Sequence, residues 1–308
     1  MIWVAVLLAL VAFSYIASER MRRPMDARAR ARGEAPGRFA KLSQGITHYR
    51  WQGPVAGPVA VCIHGLTSSS YVWDEVAQNL TRMGYRVLRY DLYGRGLSDR
   101  PEGRQDRDFF LQQLRDLLAH EGLDDDLTLV GYSMGGAIAT AFASEEPNRV
   151  DRLMLIAPAG LGHTPGRLAG FARDVPVLGD WMIRVVGGWH QRRAARVAGR
   201  QPGVPADLPG KQAGETRFRG YMPAILSSLR HMLPADQAAD HRRIAEAGIP
   251  VLAVWGEADE TIRLAALGRL AEINRAAMQV SLPEASHALV YTRADDIHSA
   301  MQDFLREM

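Results

Sequence analysis

Short apolar runs rich in β-branched residues recur downstream of residue 58, and helical patterns separate them. Each run is followed by a turn that contains Gly or a polar residue. This alternation predicts parallel βαβ units and therefore an α/β domain. The predicted strands are Val59–Ile63, Tyr85–Tyr90, Leu127–Gly131, Arg152–Ala157, Ile249–Trp255 and Met278–Leu282. The predicted helices between them include Trp73–Met83 and Phe109–His120, and a hairpin (Phe39–Leu42, Thr47–Gln52) precedes them.

The N-terminus carries a longer apolar run of a different kind. Ile2–Ala17 contains no charged residue, and an arginine-rich stretch follows it directly. A helix of this length covers ~24 Å of a hydrocarbon core of ~30 Å, so residues 1–18 are predicted to form a short transmembrane anchor. The alternative is a cleaved signal peptide, which normally has a basic region before the apolar run and a small-residue cleavage site after it. An uncleaved anchor places the arginine-rich side in the cytoplasm, whereas the signal-peptide alternative implies a secreted or periplasmic protein.

The net charge of +3 is concentrated next to this apolar run. Between Glu19 and Lys41 there are eight Arg or Lys and three Asp or Glu, so the rest of the chain has a net charge of −2. A membrane surface attracts such a basic segment, and no nucleic-acid-binding motif accompanies it. We therefore interpret residues 19–38 as a basic juxtamembrane linker, with Asp26–Gly37 rich in Arg, Ala and Gly.

The cysteine and histidine content limits the kinds of site that the chain can form. The single cysteine, Cys62, lies in a predicted buried strand, so a disulfide framework is excluded. The nine histidines are scattered singly, without metal-ligand spacing, and we expect neither a metal nor a cofactor.

The segment with the clearest chemistry follows the strand that begins at Leu127. It contains Gly131-Tyr-Ser133-Met-Gly135, a G-x-S-x-G motif, and the small-residue helical pattern Ala137–Ala143 comes after it. In this context the motif predicts a sharp strand-to-helix turn that exposes a nucleophilic serine. The two glycines leave room for that turn, and Ser133 is the predicted nucleophile.

A serine nucleophile requires a base and an acid that orients the base. His287 follows the last predicted strand within a few residues, whereas His298 falls in the terminal helical pattern, so His287 is the predicted base. Asp259 follows the strand Ile249–Trp255 through a short turn and is the predicted acid. Its neighbour Glu257 falls inside that turn, and Glu260 is expected to begin the next helix.

The oxyanion of the reaction requires two backbone N–H donors. One belongs to the residue after the nucleophile, Met134, and the other to the loop His64-Gly65-Leu66-Thr67 after the first parallel strand. This makes Leu66 the second predicted donor. His64 precedes the glycine of the loop, and we expect it to have a structural hydrogen-bonding role.

Taken in order, these motifs resemble those of the α/β-hydrolase superfamily. The matching segments are His64-Gly65, Asp91-Leu-Tyr-Gly-Arg-Gly-Leu-Ser98-Asp99-Arg-Pro101, Gly131–Gly135, Gly256–Asp259 and Ser286-His287. The resemblance implies a mostly parallel eight-stranded sheet formed by residues 39–159 and 248–308, with a helical cap inserted at residues 160–247. It also implies that Asp91 and Asp99 are structural. Haloalkane dehalogenases and epoxide hydrolases of the superfamily have aspartate at the position of Ser133.

The predicted cap has 13 Arg or Lys and seven Asp or Glu, with an apolar stripe of Trp181, Met182, Val185, Val186 and Trp189. The stripe either packs the cap on the core or lines an acyl-binding tunnel. The positive excess is unsuited to a peptidase that must hold a cationic amino terminus, but it tolerates anionic lipids.

The resemblance and the motifs together favour hydrolysis of a carboxylic ester, such as a monoacylglycerol-like lipid, through an acyl-enzyme on Ser133. The membrane-tethered monoacylglycerol-lipase-like proteins are similar in carrying an N-terminal anchor. Carbon-carbon bond hydrolysis of ring-cleavage products and cofactor-free perhydrolysis use the same residues and remain alternatives. A non-catalytic membrane scaffold is disfavoured because no member of the triad or oxyanion loop is missing. The expected partners are a small ester or lipid and the membrane, not nucleic acid.

Overall fold

A computed structural model describes residues 1–24 and 35–307 and contains one eight-stranded sheet. The strand order across the sheet is β1-β2-β4-β3-β5-β6-β7-β8. The strands are β1 (Arg38–Leu42), β2 (Gly45–Gln52), β3 (Val59–Ile63), β4 (Arg86–Tyr90), β5 (Leu127–Tyr132), β6 (Val150–Ile156), β7 (Val251–Gly256) and β8 (Met278–Leu282).

The sheet is parallel from β4 to β8, because helical connections join its successive strands. The hairpin of β1 and β2 is antiparallel and extends the sheet beyond β4. The predicted mostly parallel sheet and its N-terminal hairpin are confirmed, with strand ends displaced by one or two residues. Parallel order places the carboxyl ends of β3, β5, β7 and β8 on one edge, where the loops carrying chemistry begin.

Helices cover both faces of the sheet. One face is covered by α2 (Asp74–Arg82), α12 (Leu289–Thr292) and α13 (Ala294–Arg306), and the other by α3 (Arg107–Glu121), α4 (Met134–Glu145), α10 (Ala238–Glu246) and α11 (Ala265–Ile273). The buried side chains of the two faces form two separate clusters, one on each side of the strands. Cys62 is fully buried in one of them, where burial raises the pKa of its thiol to about 12.

Between β6 and α10 the chain forms a helical cap. Its helices are α5 (Arg167–Asp174), α6 (Leu178–Met182), α7 (Gly188–Ala198), α8 (Leu208–Glu215) and α9 (Tyr221–His231), and a π-helical turn (Ile183–Gly187) joins α6 to α7. The inner side of α9 is buried in the same apolar cluster as α3 and α4. The cap is therefore packed on the sheet and its helices rather than loosely tethered to them.

Helix α1 (Ile2–Arg20) is long and apolar enough to span a membrane, and its side chains are exposed over its first twelve residues. Its last two turns contact the cap: the indole Nε1 of Trp181 donates to Ser14 Oγ at 2.9 Å. After the helix, Arg23 pairs in parallel with Phe218. Residues 25–34, which make up half of the predicted linker, lie outside the described residues.

The apolar stripe of the cap divides between several environments. Met182 packs against the core, Trp181 contacts α1, and Val186 and Trp189 are exposed. None of the five lines the cavity over Ser133 that is described below. The tunnel interpretation of this stripe is therefore not supported, and the packing interpretation holds for only part of it.

Candidate active site

Ser133 lies at the turn between β5 and α4 with a strained backbone. Its φ of 54° and ψ of −119° lie in a region that residues with a side chain rarely adopt. The two glycines of the motif permit this turn because their surroundings leave no space for a side chain. A Cβ at Gly135 would lie 1.9 Å from the carbonyl oxygen of Ile63, and one at Gly131 would lie 2.6 Å from that of Gly135.

The structure brings Ser133, His287 and Asp259 into one hydrogen-bonded chain. His287 Nε2 lies 2.9 Å from Ser133 Oγ, and His287 Nδ1 lies 2.7 Å from Asp259 Oδ2. The tautomer that fits these partners carries its proton on Nδ1, donates it to the carboxylate and leaves Nε2 to accept from the serine. The backbone carbonyl of His287 also accepts from the hydroxyl of Tyr132 at 2.7 Å, which fixes the histidine loop against β5.

Asp259 is held for this task by its own loop. Its Oδ1 accepts from the backbone N–H groups of Thr261 and Ile262 at 2.8 and 2.9 Å, so only Oδ2 remains for the histidine. The side chain is fully buried. Gly256 at the end of β7 allows the histidine loop to approach, because a Cβ there would lie 2.3 Å from the carbonyl oxygen of Ala285.

The two neighbouring glutamates have other environments. Glu257 is exposed and accepts a hydrogen bond from Ser281 Oγ. Glu260 is exposed in the loop and lines the cavity, whereas α11 begins only at Ala265. The prediction that Glu260 begins the next helix is therefore wrong, because the chain after Asp259 first turns back to hydrogen-bond its carboxylate.

The loop that carries Leu66 is fixed through three successive carbonyl groups. The carbonyl of Gly65 accepts from His64 Nδ1 at 2.8 Å, that of Leu66 from Arg95 Nε at 3.0 Å, and that of Thr67 from the Tyr221 hydroxyl at 2.9 Å. Within the described chain, no protein acceptor is recorded for the N–H of Leu66 or of Met134. Both N–H groups therefore have no acceptor in the described chain, which the predicted oxyanion role requires.

His64 and Arg95 act on this loop from the buried side. His64 Nε2 accepts from the N–H of Leu92 at 2.9 Å, and burial lowers the pKa of its ring to about 4, so that it stays neutral. The fully buried Arg95 also donates to the carbonyl of Tyr93 and to Ser228 Oγ of α9. Arg95 therefore connects the oxyanion loop to the cap. Sequence reasoning quoted its motif but did not assign the arginine this role.

The resemblance assigned Asp91 a structural role, and its contacts are of that kind. It is buried, pairs with His48 Nδ1 at 2.8 Å, and accepts from the N–H groups of Ser70 and Leu97. Burial opposes ionisation of both partners, but their mutual hydrogen bond outweighs it, which raises the pKa of His48 and lowers that of Asp91. Asp99 accepts from the N–H of Ile46 at 2.6 Å.

A cavity of about 610 Å³ opens over Ser133 between the sheet edge and the cap. Its apolar lining includes Leu66, Leu233, Ala258 and Ala288, and its polar lining includes Thr67, His163, Gln201, Gln212 and Thr261. Burial, together with the neighbouring His287, lowers the pKa of His163 to about 4, so this ring is neutral near pH 7. Sequence reasoning missed His163, because it lies in no motif. Among the described residues no cluster of His, Cys, Asp and Glu could hold a metal ion.

Known proteins match this chain over most of its length. The alpha/beta hydrolase fold family matches residues 58–220. A haloalkane dehalogenase from Mycolicibacterium paratuberculosis is 32% identical over 227 residues, which cover 69% of this chain and 71% of the relative. Lipase 1 from Psychrobacter immobilis is 26% identical over 252 residues, covering 80% of this chain and 77% of the relative. The enol-lactonase structure from Burkholderia xenovorans has a TM-score of 0.73 at 23% identity and covers 87% of this chain and 100% of its own, a likeness of fold.

Proposed function

Since the chain belongs to the α/β-hydrolase fold family, we propose that it is a serine hydrolase that cleaves carboxylic esters. The observation that carries this proposal is the continuous chain from Asp259 through His287 to Ser133, with the N–H groups of Leu66 and Met134 on the neighbouring backbone. These residues supply a nucleophile, a base, an orienting acid and an oxyanion site, which together suffice for acyl transfer.

In the proposed mechanism, Ser133 Oγ attacks the ester carbonyl carbon while His287 Nε2 takes the hydroxyl proton. The N–H groups of Leu66 and Met134 stabilise the oxyanion, and Asp259 stabilises the resulting imidazolium. His287 then returns the proton to the leaving alcohol. Water attacks the acyl-enzyme with His287 again as the base, which releases the carboxylic acid and restores Ser133.

The identity of the nucleophile, Ser133, argues against dehalogenation, the activity for which one relative is named. Dehalogenation by a carboxylate forms an ester that water can cleave. Attack by Ser133 Oγ on a halogen-bearing carbon would instead form an ether, which this site could not hydrolyse. Relatedness at 32% identity therefore supports the family and a hydrolytic triad, while the hydroxyl of Ser133 directs the chemistry to acyl groups.

The cavity favours an ester with an apolar acyl group and a polar alcohol. Leucine and alanine side chains offer contact to an acyl chain, whereas His163, Gln201 and Gln212 offer hydrogen bonds to alcohol hydroxyl groups. A monoacylglycerol-like lipid has both parts, and a relative named as a lipase agrees with this class.

We further propose that α1 is an uncleaved anchor that holds the enzyme on the cytoplasmic face of a membrane. The contacts of its last turns support this, because a removed leader would leave their partners on the cap unpaired. Besides the contact between Trp181 and Ser14, Glu19 Oε2 accepts from the N–H of Gly220 at 3.0 Å. The N–H of Arg23 donates to the carbonyl of Arg217 at 2.9 Å.

A p-nitrophenyl ester series tests the proposed activity. We expect kcat/KM to rise from acetate to octanoate, because each buried methylene contributes about 0.8 kcal/mol until the cavity is full. A fluorophosphonate probe should label the wild type but not Ser133→Ala, which lacks only the hydroxyl. A flat or falling series contradicts the preference for apolar acyl groups. If the probe labels Ser133 but no ester is cleaved, the result contradicts ester hydrolysis and favours carbon-carbon bond hydrolysis or perhydrolysis.

A further inference from the structure

The contact between α1 and the cap fixes how deep the cap can lie in a bilayer. Ser14 precedes Arg20 by six residues, which corresponds to ~9 Å along a helix axis. The arginines at the end of α1 mark the level of the lipid headgroups, because their charges remain in the polar layer. Trp181, which hydrogen-bonds to Ser14, must therefore lie below that level. Arg184, whose guanidinium lies 4.8 Å from the ring centre of Tyr15, is held in the same region.

A shallower position of α1 in the bilayer does not remove this limit on the depth of the cap. If Ser14 were raised to the headgroup level, only Ile2–Phe13 would remain in the hydrocarbon, which is ~18 Å of helix against a core of ~30 Å. The helix is already short for a bilayer at full insertion. The cap therefore enters the interfacial layer for as long as its contact with α1 is maintained.

The part of the cap next to this contact has exposed apolar side chains. The exposed residues are Phe171, Val177, Leu178, Val186, Trp189 and Val197. Leu178 lies three residues before Trp181, and a Cβ on Gly188 would lie 3.8 Å from a guanidinium nitrogen of Arg22. The exposed apolar residues thus flank the segment that α1 touches.

Arginines accompany these apolar residues on the outer side of the π-helical turn and α7. Val186, Trp189, Arg193 and Arg196 are exposed at helical spacing, and Arg200 is exposed just beyond α7, whereas Ile183, Gly187 and Ala195 face inward. The guanidinium of Arg193 lies 5.8 Å from the ring centre of Trp189. Tryptophan combined with arginine on one helix face is typical of a surface that lies between headgroups and acyl chains.

We infer that the outer face of residues 177–200 is a bilayer-binding surface that lies in the interfacial layer of a membrane rich in anionic phospholipid. This inference rests on the proposed anchoring by α1. Its apolar side chains contact the acyl boundary, and its arginines contact lipid phosphates, in keeping with the positive excess of the cap. Ala198 at the end of α7, and Gln201 just beyond it, line the catalytic cavity. The same helix therefore leads from the membrane surface to the site, and the cavity receives substrate from the bilayer.

An environment-sensitive fluorophore on a single cysteine tests the depth of this surface. The full chain carries Leu178→Cys, labelled with a nitrobenzoxadiazole group, in vesicles of phosphatidylcholine with phosphatidylglycerol. Val55→Cys is the matched control, since Val55 is exposed before β3, at the opposite end of the strands from the cap. Cys62 is buried and does not compete for the label. We expect a blue shift and brighter emission at position 178 and water-like emission at position 55.

Water-like emission from position 178 in protein that floats with the vesicles overturns the inference and leaves the anchor intact. Failure of the protein to float overturns the anchor and the inference together. A blue shift that follows protein concentration rather than lipid identifies a second copy of the chain as the occupant and also overturns the inference. Cleavage of a soluble ester is followed in every sample, so that loss of the proposed activity is recognised separately.

Trp189→Ser provides a second measurement. We expect cleavage of a long-chain ester embedded in the anionic vesicles to fall about tenfold, while a short soluble ester is cleaved within about twofold of the wild type. An equal loss on both substrates, or no loss on either, contradicts the inferred role of this face.

Discussion

Ser133, His287 and Asp259 lie on three loops at one edge of the sheet, and a different local feature holds each of them. A strained turn directs Ser133 into the cavity, the Tyr132 hydroxyl fixes His287 through its carbonyl, and two N–H groups engage one oxygen of Asp259. The rigidity of the site therefore comes from backbone contacts that do not depend on substrate, which is the condition for stabilising a transition state at low reorganisation cost.

Asp259→Asn tests the acid of the proposed triad. An amide at this position favours the wrong histidine tautomer, so we expect kcat to fall by up to ~10⁴ with little change in folding. Glu257→Gln is the matched control, because its carboxylate bonds Ser281 on the exposed side, and should stay within about tenfold of the wild type. Steady-state kinetics on one ester compares the two. If Asp259→Asn lowers kcat only slightly and Glu257→Gln lowers it strongly, the acid is Glu257 and not Asp259.

Residues whose position follows from a strand and a short turn could be predicted from the sequence. Ser133, His287 and Asp259 each follow a predicted strand by a few residues, so the order of the strands brings them together. Arg95 and His163 could not be found in this way. Arg95 acts through contacts to Leu66 and Ser228, which are distant along the chain, and His163 lies in a loop without periodicity or motif.

At the scale of elements, α4 depends on its close approach to β3, whereas α11 has space beside its glycine. Gly135→Ala would force a Cβ to within 1.9 Å of a backbone oxygen, so we expect a loss of several kcal/mol of unfolding free energy. Gly268→Ala, in α11 with no atom within 4 Å, should stabilise by about 1 kcal/mol. Urea unfolding of the detergent-solubilised protein measures both. A stabilising Gly135→Ala would contradict the close packing of α4, and a destabilising Gly268→Ala would contradict the open space beside α11.

Helix α8 ends at a buried carboxyl group that couples cap stability to pH. Glu215 accepts from the N–H of Gly96 at 3.0 Å and lies 4.0 Å from Arg100. Burial, and then the nearby Asp91, raise the pKa of Glu215 to about 7 from its ordinary value of 4.5. The folded protein therefore binds this proton more tightly than the unfolded chain does. The stabilisation is fully present below pH 4.5 and is lost as pH rises through 7.

Glu215→Gln should remove this dependence. Relative to the wild type, we expect the variant to gain up to about 3 kcal/mol of unfolding free energy between pH 4.5 and pH 8. Glu246→Gln, at an exposed position of α10, should follow the wild-type curve. The measurement is urea unfolding at several pH values. Parallel curves for Glu215→Gln and the wild type would show that folding does not raise the pKa of Glu215.

Local sequence patterns predicted where the strands and helices lie, but they did not predict which elements pack against each other. The short apolar runs located the parallel strands to within two residues, because the central strands β3, β5 and β7 are buried on both faces and are therefore mainly apolar. The stripe from Trp181 to Trp189 was equally visible, but it faces three environments. Its contact with Ser14 spans more than 160 residues, a distance over which no local pattern carries information.

At the scale of the whole molecule, anchoring by α1 and binding by the cap should respond differently to salt. We expect the full chain to remain with membranes in high salt and at alkaline pH, because apolar insertion is not screened. A protein lacking residues 1–34 should bind anionic vesicles only at low salt. It begins before Pro36, whose carbonyl accepts from His48 and Arg50. Sedimentation with and without salt is the measurement, and release of the full chain by salt alone contradicts a spanning α1.

The attachment of α1 to the cap also has a kinetic consequence. In the proposed anchored state, contacts from Ser14 to Arg23 remove the freedom that a flexible tether would have, so the cavity over Ser133 keeps one height and one orientation above the lipid. An enzyme held in this way meets a substrate dissolved in the bilayer by lateral diffusion in two dimensions. Its turnover should then depend on the surface density of substrate among the lipids rather than on the bulk concentration in water.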